Sequence, residues 1–348
     1  MIRVGVIGAG GIAHKLHLPQ VAETEGMRVT HIAGKEDWRL KILSERFDIP
    51  NWTLNYEELL AEESIDAIIV ALPHPLHVPF GLKVLSANKH LLMQKPLCAD
   101  MNEANQFVEA VEKTDKTVMC LPHFGAEIYS TRKLVESGVI GKPSGIHCRV
   151  SHGGPEVYYA EVRDYFEEKG DALWFFDASK ASVGALFDMG VYAVAVLVAI
   201  MGSVKSVMGI TTTIDKPTTL EDTATLILHF ENGAVGTAET GWCDPAKSWE
   251  LRVHGTAGKL VSPGRNGFGI TRWEPGSYTR EDTPSIPHDL DASPENRRNA
   301  HQHWAQCIRE KRQPEMSNAK SARHVSEILL AGLKSSQTGQ RVEILSKV

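Results

Sequence analysis

The sequence predicts an α/β chain in two parts. A doubly wound parallel sheet occupies residues 1–122. An α+β domain on a large, open, mostly antiparallel sheet occupies 123–348. Three observations carry this. The first 120 residues alternate short apolar, β-branched runs with stretches of helical spacing. Beyond about residue 122, alternating runs follow one another without helices between them, the pattern of antiparallel neighbours. And 348 residues are too many for one ordinary core.

The elements follow in order. "IRVGVIGAG" is a strand closing on glycines, and "GIAHKLHLPQVAET" has helical spacing. "MRVTHIAG" and "DWRLKILSERFD" repeat the pair. "IDAIIVALP" is nearly all apolar, as a parallel strand covered on both faces should be. "HVPFGLKVLSAN" then "KHLLMQKP", and "MNEANQFVEAVEKT" then "TVMCLPHF", add two more helix–strand pairs. "EIYSTRKLVESGVIG" is a helix with a glycine stop. The strand runs "SGIHCRVSH", "VKSVMGITTTI", "TATLILHF", "AVGTAETGW" and "SWELRVHG" come next, with Asn232-Gly233 in "FENGA" marking a hairpin. Residues 263–295, rich in Gly, Pro, Ser and charge, read as a long loop. The helices "NAHQHWAQCIREK" and "AKSARHVSEILLAGLKSSQ" close the chain.

Bulk properties narrow the partners. A net charge of −6 argues against nucleic acid and anionic membranes. No apolar run approaches the roughly 18 residues of a membrane span, and no signal-peptide pattern precedes the glycines that begin at Gly8. Cys98, Cys120, Cys148, Cys243 and Cys307 are scattered, odd in number and without a C-x-x-C pair. They read as reduced thiols, not a disulfide frame or a zinc site. The expectation is a soluble, cytoplasmic protein.

Gly8-x-Gly10-x-x-Ala13, with Gly11 and Ile12 inside it, stands at the first strand-to-helix junction. Gly8 permits the tight turn, Gly10 lets backbone approach a pyrophosphate, and Ala13 allows close helix–strand packing. The helix N-terminus adds unpaired N–H groups. This predicts a dinucleotide site and a Rossmann-type domain. The ribose selector belongs about 20 residues on, where a carboxylate would accept from the 2′-hydroxyl of NAD. Gly34-Lys35 occupies that place, with Arg39 a little later, which leaves room and positive charge for a 2′-phosphate. NADP is favoured over NAD; Glu36 and Asp37 are the alternative acceptors for a hydroxyl.

Several stretches together resemble the Gfo/Idh/MocA oxidoreductases in order and spacing: "VIGAGGIAHKLHLP", "DAIIVALPHPLH", "ANKHLLMQKPL", "GALFDMGVY" and "LHFENGAVGTAETGW…VHGTAGKL". The resemblance covers essentially the whole chain. In that family a strand ends in Glu-Lys-Pro, with the lysine beside the nicotinamide and the reacting carbon. It therefore implies that Lys95 is catalytic and touches cofactor and substrate, with Gln94 replacing the usual glutamate and removing its charge. D-x-G-x-H becomes Asp188-x-Gly190-x-Tyr192. The tyrosine form is similar to the subgroup of glucose–fructose oxidoreductase and the dimeric dihydrodiol dehydrogenases. Tyr192 would exchange the substrate proton and Asp188 would orient the substrate or Tyr192, the alternative for Tyr192 being a core tyrosine on an apolar helix.

The resemblance also places Leu72, Pro73, His74 and His77 at the nicotinamide ribose, with His74 where asparagine is usual. It makes His123, Arg149 and Trp174 candidates for substrate, with His152 and His288 held more loosely. The pairs His14/His17 and His74/His77 have a spacing that could hold a metal on a helix, but lie within cofactor-domain motifs of a family that uses none. The implied activity is hydride transfer between nicotinamide and a hydroxyl or carbonyl carbon of a sugar, polyol, inositol or cyclic diol. A retained-cofactor sugar oxidoreductase, a glycoside-cleaving enzyme that oxidises only transiently, and a non-catalytic dinucleotide sensor are the alternatives. The open sheet implies a homo-oligomer, dimer or tetramer.

Overall fold

The computed structural model describes residues 1–167, 173–262, 269–272, 286–287 and 299–348. The chain divides into two compact units. One comprises residues 1–123, 155–182 and 298–326; the other comprises 124–154, 183–297 and 327–348. The first break falls beside the expected one at 122, and two later segments join the first unit.

The first unit holds six parallel strands: β1 (Ile2–Ile7), β2 (Met27–Ala33), β3 (Asn51–Thr53), β4 (Ala67–Val70), β5 (His90–Met93) and β6 (Val118–Cys120). Their order is β3-β2-β1-β4-β5-β6, so the chain reverses direction across the sheet between β1 and β4. Side chains alternate faces along a strand, and here both faces are covered. Ile69 and Leu92 join a core with Val4, Val6, Leu40 and Trp304. Ile68, Val70, Leu91 and Met93 join another with Phe107 and Val118. That double burial explains why "AIIV" and "LLM" are apolar without alternation. Helix Ala300–Arg309 is set by a capping box in which Asn299 and Gln302 satisfy each other's backbone N–H groups. It contributes Ala300, Trp304 and Ala305 to the first of these cores, as residues 155–182 contribute Val162 and Phe166.

The second unit holds nine strands: β7 (Pro143–Ser151), β8 (Val204–Thr212), β9 (Thr223–Phe230), β10 (Val235–Gly241), β11 (Ser248–Gly255), β12 (Gly258–Ser262), β13 (Gly269–Arg272), β14 (Ile286–Pro287) and β15 (Val342–Glu343). The order is β14-β13-β12-β11-β7-β10-β9-β8-β15. Pairing is antiparallel except between β7 and β10. The Asn232-Gly233 turn joins β9 to β10, with Gly233 at φ +86° where a side chain would be strained. The long loop expected over 263–295 is corrected in two places: β13 and β14 pair with each other and extend the sheet from β12. Their short, Gly- and Pro-bounded segments carry too little periodicity to be read as strands. The rest of that stretch, His288 included, lies outside the described residues.

Candidate active site

The carboxyl ends of β1, β4 and β5 gather three of the expected motifs in the first unit. Gly8 has φ +113°, and a Cβ there would stand 2.2 Å from the Ala71 carbonyl oxygen, so no other residue fits. Gly10 is exposed, with nothing within 4 Å of where its Cβ would be. The helix starts at once: His14 N–H donates to the Gly10 carbonyl (3.2 Å), Ala13 is buried, and Ile12 is half-buried against the core. An open glycine backbone at a helix start fits a pyrophosphate, as the spacing requires. At Gly11 a Cβ would meet the Tyr159 ring at 2.5 Å, so this glycine is explained by aromatic packing.

At the end of β2, a Cβ on Gly34 would lie 2.9 Å from Ala9 Cβ and 3.2 Å from a Leu40 methyl. The crowding excludes a carboxylate side chain at this position. Lys35 is exposed. Arg39 is instead buried: its Nε lies 3.0 Å from Glu36, and its guanidinium stacks 4.5 Å from the Phe166 ring centre and 5.1 Å from Trp38. Of the two cations expected near a 2′-phosphate, Lys35 stands in solvent and Arg39 is already engaged.

After β4, His77 ties two turns together. Its Nδ1 lies 2.6 Å from the Pro96 carbonyl and its Nε2 2.7 Å from the Leu72 carbonyl. Burial holds its pKa below the ordinary histidine value, against the pull of both carbonyls. His74, next to Pro73, is buried edge-on to Trp174 (5.0 Å) and Phe175 (6.0 Å). Trp174 in turn stacks on Phe175 at 4.0 Å. The structure thus brings His74 and Trp174 together from opposite sides of a hundred-residue gap.

β5 ends at Met93, and Gln94 and Lys95 follow. Gln94 is buried; its Oε1 accepts from the Lys95 backbone N–H at 2.8 Å and its Nε2 lies 3.0 Å from His17 Nε2. Lys95 is half-buried and its bond to Pro96 is cis. His123 sits edge-on to His303 at 5.3 Å, and burial pushes its pKa down to about 4. The H-x-x-H pair at 14 and 17 splits: His14 faces the rings of Phe47, Tyr165 and Phe166, while His17 faces Gln94 and His301. Among the described residues no cluster of His, Cys, Asp and Glu could hold a metal ion.

The second unit carries Asp188 and Tyr192. Asp188 is buried; its Oδ2 accepts from the Trp242 indole N–H at 2.9 Å, with His152 Nε2 at 4.0 Å. His152 Nδ1 accepts from Gly154 N–H (2.8 Å), so the ring proton sits on Nε2 and faces the carboxylate. The short helix Ala185–Asp188 is held at its start by buried Glu221, which accepts from Gly184 N–H (3.0 Å) and Leu186 N–H (3.2 Å). Tyr192 is half-buried on the next helix, Gly190–Met201. A Cβ at Gly190 would meet the Thr240 side chain at 3.0 Å, which seats that helix on the buried face of β10. Arg149 is not with them. Cys148 and Val150 point into the core, so Arg149 points to the other face of the sheet, where it pairs with Glu239 at 3.1 Å.

Sequence reasoning missed Trp242, Glu221, Gln20 and His301. Trp242 lies in the "ETGW" stretch, but no spacing rule links it to Asp188. The other three are ordinary polar residues until the fold buries Glu221 and His301 and half-buries Gln20.

Fold and glycine turn define a dinucleotide-binding protein of the Rossmann class. Residues 2–121 match the oxidoreductase family with an NAD-binding Rossmann fold, and residues 129–261 match the GFO/IDH/MocA C-terminal domain. The chain belongs to the Gfo/Idh/MocA family of oxidoreductases. It is 25% identical over 261 residues to D-xylose 1-dehydrogenase (NADP(+)) 2 of Haloferax volcanii, covering 74% of each chain. It is 30% identical over 160 residues to inositol 2-dehydrogenase of Corynebacterium glutamicum, covering 45% of this chain and 47% of the relative. The chain spans about half the length of the first curated relatives it matches. Levoglucosan dehydrogenase in complex with NADH and L-sorbose shares the fold, with TM-score 0.80, 18% identity and 99% coverage of both chains.

Proposed function

We propose that this protein is an NADP-preferring dehydrogenase or reductase of a sugar, polyol, inositol or cyclic diol. The observation that carries the reading is the gathering of the Gly8–Ala13 turn, the Leu72–His77 turn and the Gln94–Pro96 turn at the carboxyl ends of adjacent parallel strands, about the β1/β4 reversal. Ligands of open parallel sheets bind at such a reversal. When bound, nicotinamide supplies the acceptor or donor of hydride. The chain's own residues divide the rest of the chemistry. Lys95 polarises the substrate oxygen, Tyr192 takes or returns the hydroxyl proton, and Asp188 holds the substrate or Tyr192 in place. His123 and Trp174 are assigned to the substrate side, and His74 to the nicotinamide ribose. Exposed Lys35 beside crowded Gly34 supports NADP, since a cation can pair with a 2′-phosphate and no carboxylate can stand at 34.

A homo-oligomer through the outer face of the second sheet completes the reading. Met208 and Ile227 are cross-strand neighbours there, and Ile210 and Val235 add to the same apolar surface, with Ile210 75% exposed. Among the described residues no helix is long and apolar enough to cross a membrane. The test is a panel of sugars, inositols and diols with NAD and NADP, followed by absorbance of the reduced cofactor. Tight dinucleotide binding without turnover of any of them would replace this reading with a dinucleotide sensor. Sedimentation of Ile210→Lys against the unaltered chain tests the oligomer.

A further inference from the structure

Gln94 belongs to a buried chain of polar groups that extends well away from Lys95. Gln94 Nε2 lies 3.0 Å from His17 Nε2, His17 Nδ1 2.9 Å from His301 Nε2, and His301 Nδ1 2.8 Å from Gln20 Oε1. Gln94, His17 and His301 are all buried, and Gln20 is half-buried at the far end.

Elementary donor–acceptor rules give this chain one direction. The Lys95 N–H can only donate, so the Gln94 atom it meets is the oxygen and the other is the amide NH₂. An amide NH₂ can only donate, so His17 Nε2 accepts. His17 then carries its proton on Nδ1 and donates to His301 Nε2. His301 in turn carries its proton on Nδ1 and donates to Gln20 Oε1. Every contact is satisfied with both rings neutral. Burial favours that state, holding the His17 pKa down to about 3 and that of His301 well below the ordinary value, with nearby His123 acting in the same sense on His301.

We propose that Gln20, His301 and His17 are positioning residues for Lys95, acting through Gln94, and that glutamine stands at 94 because an amide both donates to this neutral chain and accepts from the Lys95 N–H, which a carboxylate cannot do. The role given to Lys95 rests on the functional reading above; the hydrogen-bond direction does not. An ionised glutamate at 94 only accepts. It would force His17 to carry a proton on Nε2, either by becoming imidazolium or by reversing every donor back to Gln20. An ionised glutamate therefore cannot stand at 94 without changing His17.

The experiment is heteronuclear NMR of the full chain, isotopically labelled at the histidine rings, the glutamate carboxyls and the backbone. His17 and His301 are expected as neutral Nδ1–H tautomers, unchanged between about pH 5 and pH 8. His301→Gln, whose amide can accept and donate, should leave His17 in that form. Gln94→Glu should move His17 to the Nε2–H or doubly protonated form. Retention of the Nδ1–H form in Gln94→Glu, with the carboxyl carbon shift showing an ionised side chain at 94, overturns the proposed direction. Gln20→Leu, a change at the half-buried end, should shift the Lys95 amide signal. It should also lower turnover by up to about 100-fold, the cost of a small misplacement of a reacting group, with dinucleotide affinity unchanged. An unmoved Lys95 amide overturns the positioning role. Should no sugar be turned over with either cofactor, the functional reading fails, while the tautomer and amide signals still decide the relay.

Discussion

The indole N–H of Trp242 donates to Asp188 Oδ2 across 2.9 Å, with both side chains buried. A buried carboxylate needs such donors, since leaving one unsatisfied costs more than an ordinary hydrogen bond contributes. Trp242→Phe keeps most of the ring and removes the donor. It is expected to destabilise the protein by about 1–3 kcal/mol, read as a lower denaturant midpoint at unchanged slope. An unchanged midpoint would show that the other groups around Asp188 satisfy it without the indole.

Lys95 lies in the first unit and Tyr192 in the second, so their joint action is a matter for kinetics. Tyr192→Phe is expected to leave dinucleotide affinity and thermal stability almost unchanged while turnover falls by roughly 10²–10⁴, the usual share of a general acid–base. Lys95→Met should cost at least as much. The double variant should lose far less than the product of the two, because groups acting as one unit are not additive. Near-normal turnover with easier unfolding in Tyr192→Phe would make that tyrosine a packing residue.

Lys35 is exposed at the end of β2, whereas Arg39 is engaged by Glu36 and two rings. Lys35→Ala should therefore weaken NADP binding while leaving NAD binding nearly unchanged, and Arg39→Ala should act mainly on stability. Titration of each variant with both cofactors checks this. Equal losses for NAD and NADP in Lys35→Ala would end the 2′-phosphate assignment.

His123 makes the protein sensitive to acid. Burial lowers its pKa from the ordinary 6.5 to about 4, and no hydrogen-bond partner meets its Nε2. Above the unfolded value the ring is neutral in both states and its contribution to stability is complete. As pH falls from about 6.5 toward 4, the unfolded chain takes up a proton that the folded chain refuses, and stability is lost. The slope from one such group is at most about 1.4 kcal/mol per pH unit. His123→Phe should reduce the loss between pH 6.5 and 5 in denaturant titrations; an identical loss in both proteins would refute the assignment.

What the sequence determined by itself was whatever short-range chemistry dictates. Double-sided burial forces "AIIV" and "LLM" to be apolar, a glycine able to take φ +113° marks the tight turn after β1, and Asn-Gly closes the β9–β10 hairpin; each signal lies within a dozen residues. Hydrophobic period and turn type reach no further than that. Only the tertiary structure decided which polar residues meet. His17 and His301 stand 284 positions apart, and Asp188 and Trp242 stand 54 apart. Nothing in their local sequence says that these side chains meet. A buried polar group must find a partner wherever the fold places one. That requirement paired His17 with His301 and turned the Gln94 amide into a link between a buried histidine and the backbone of Lys95.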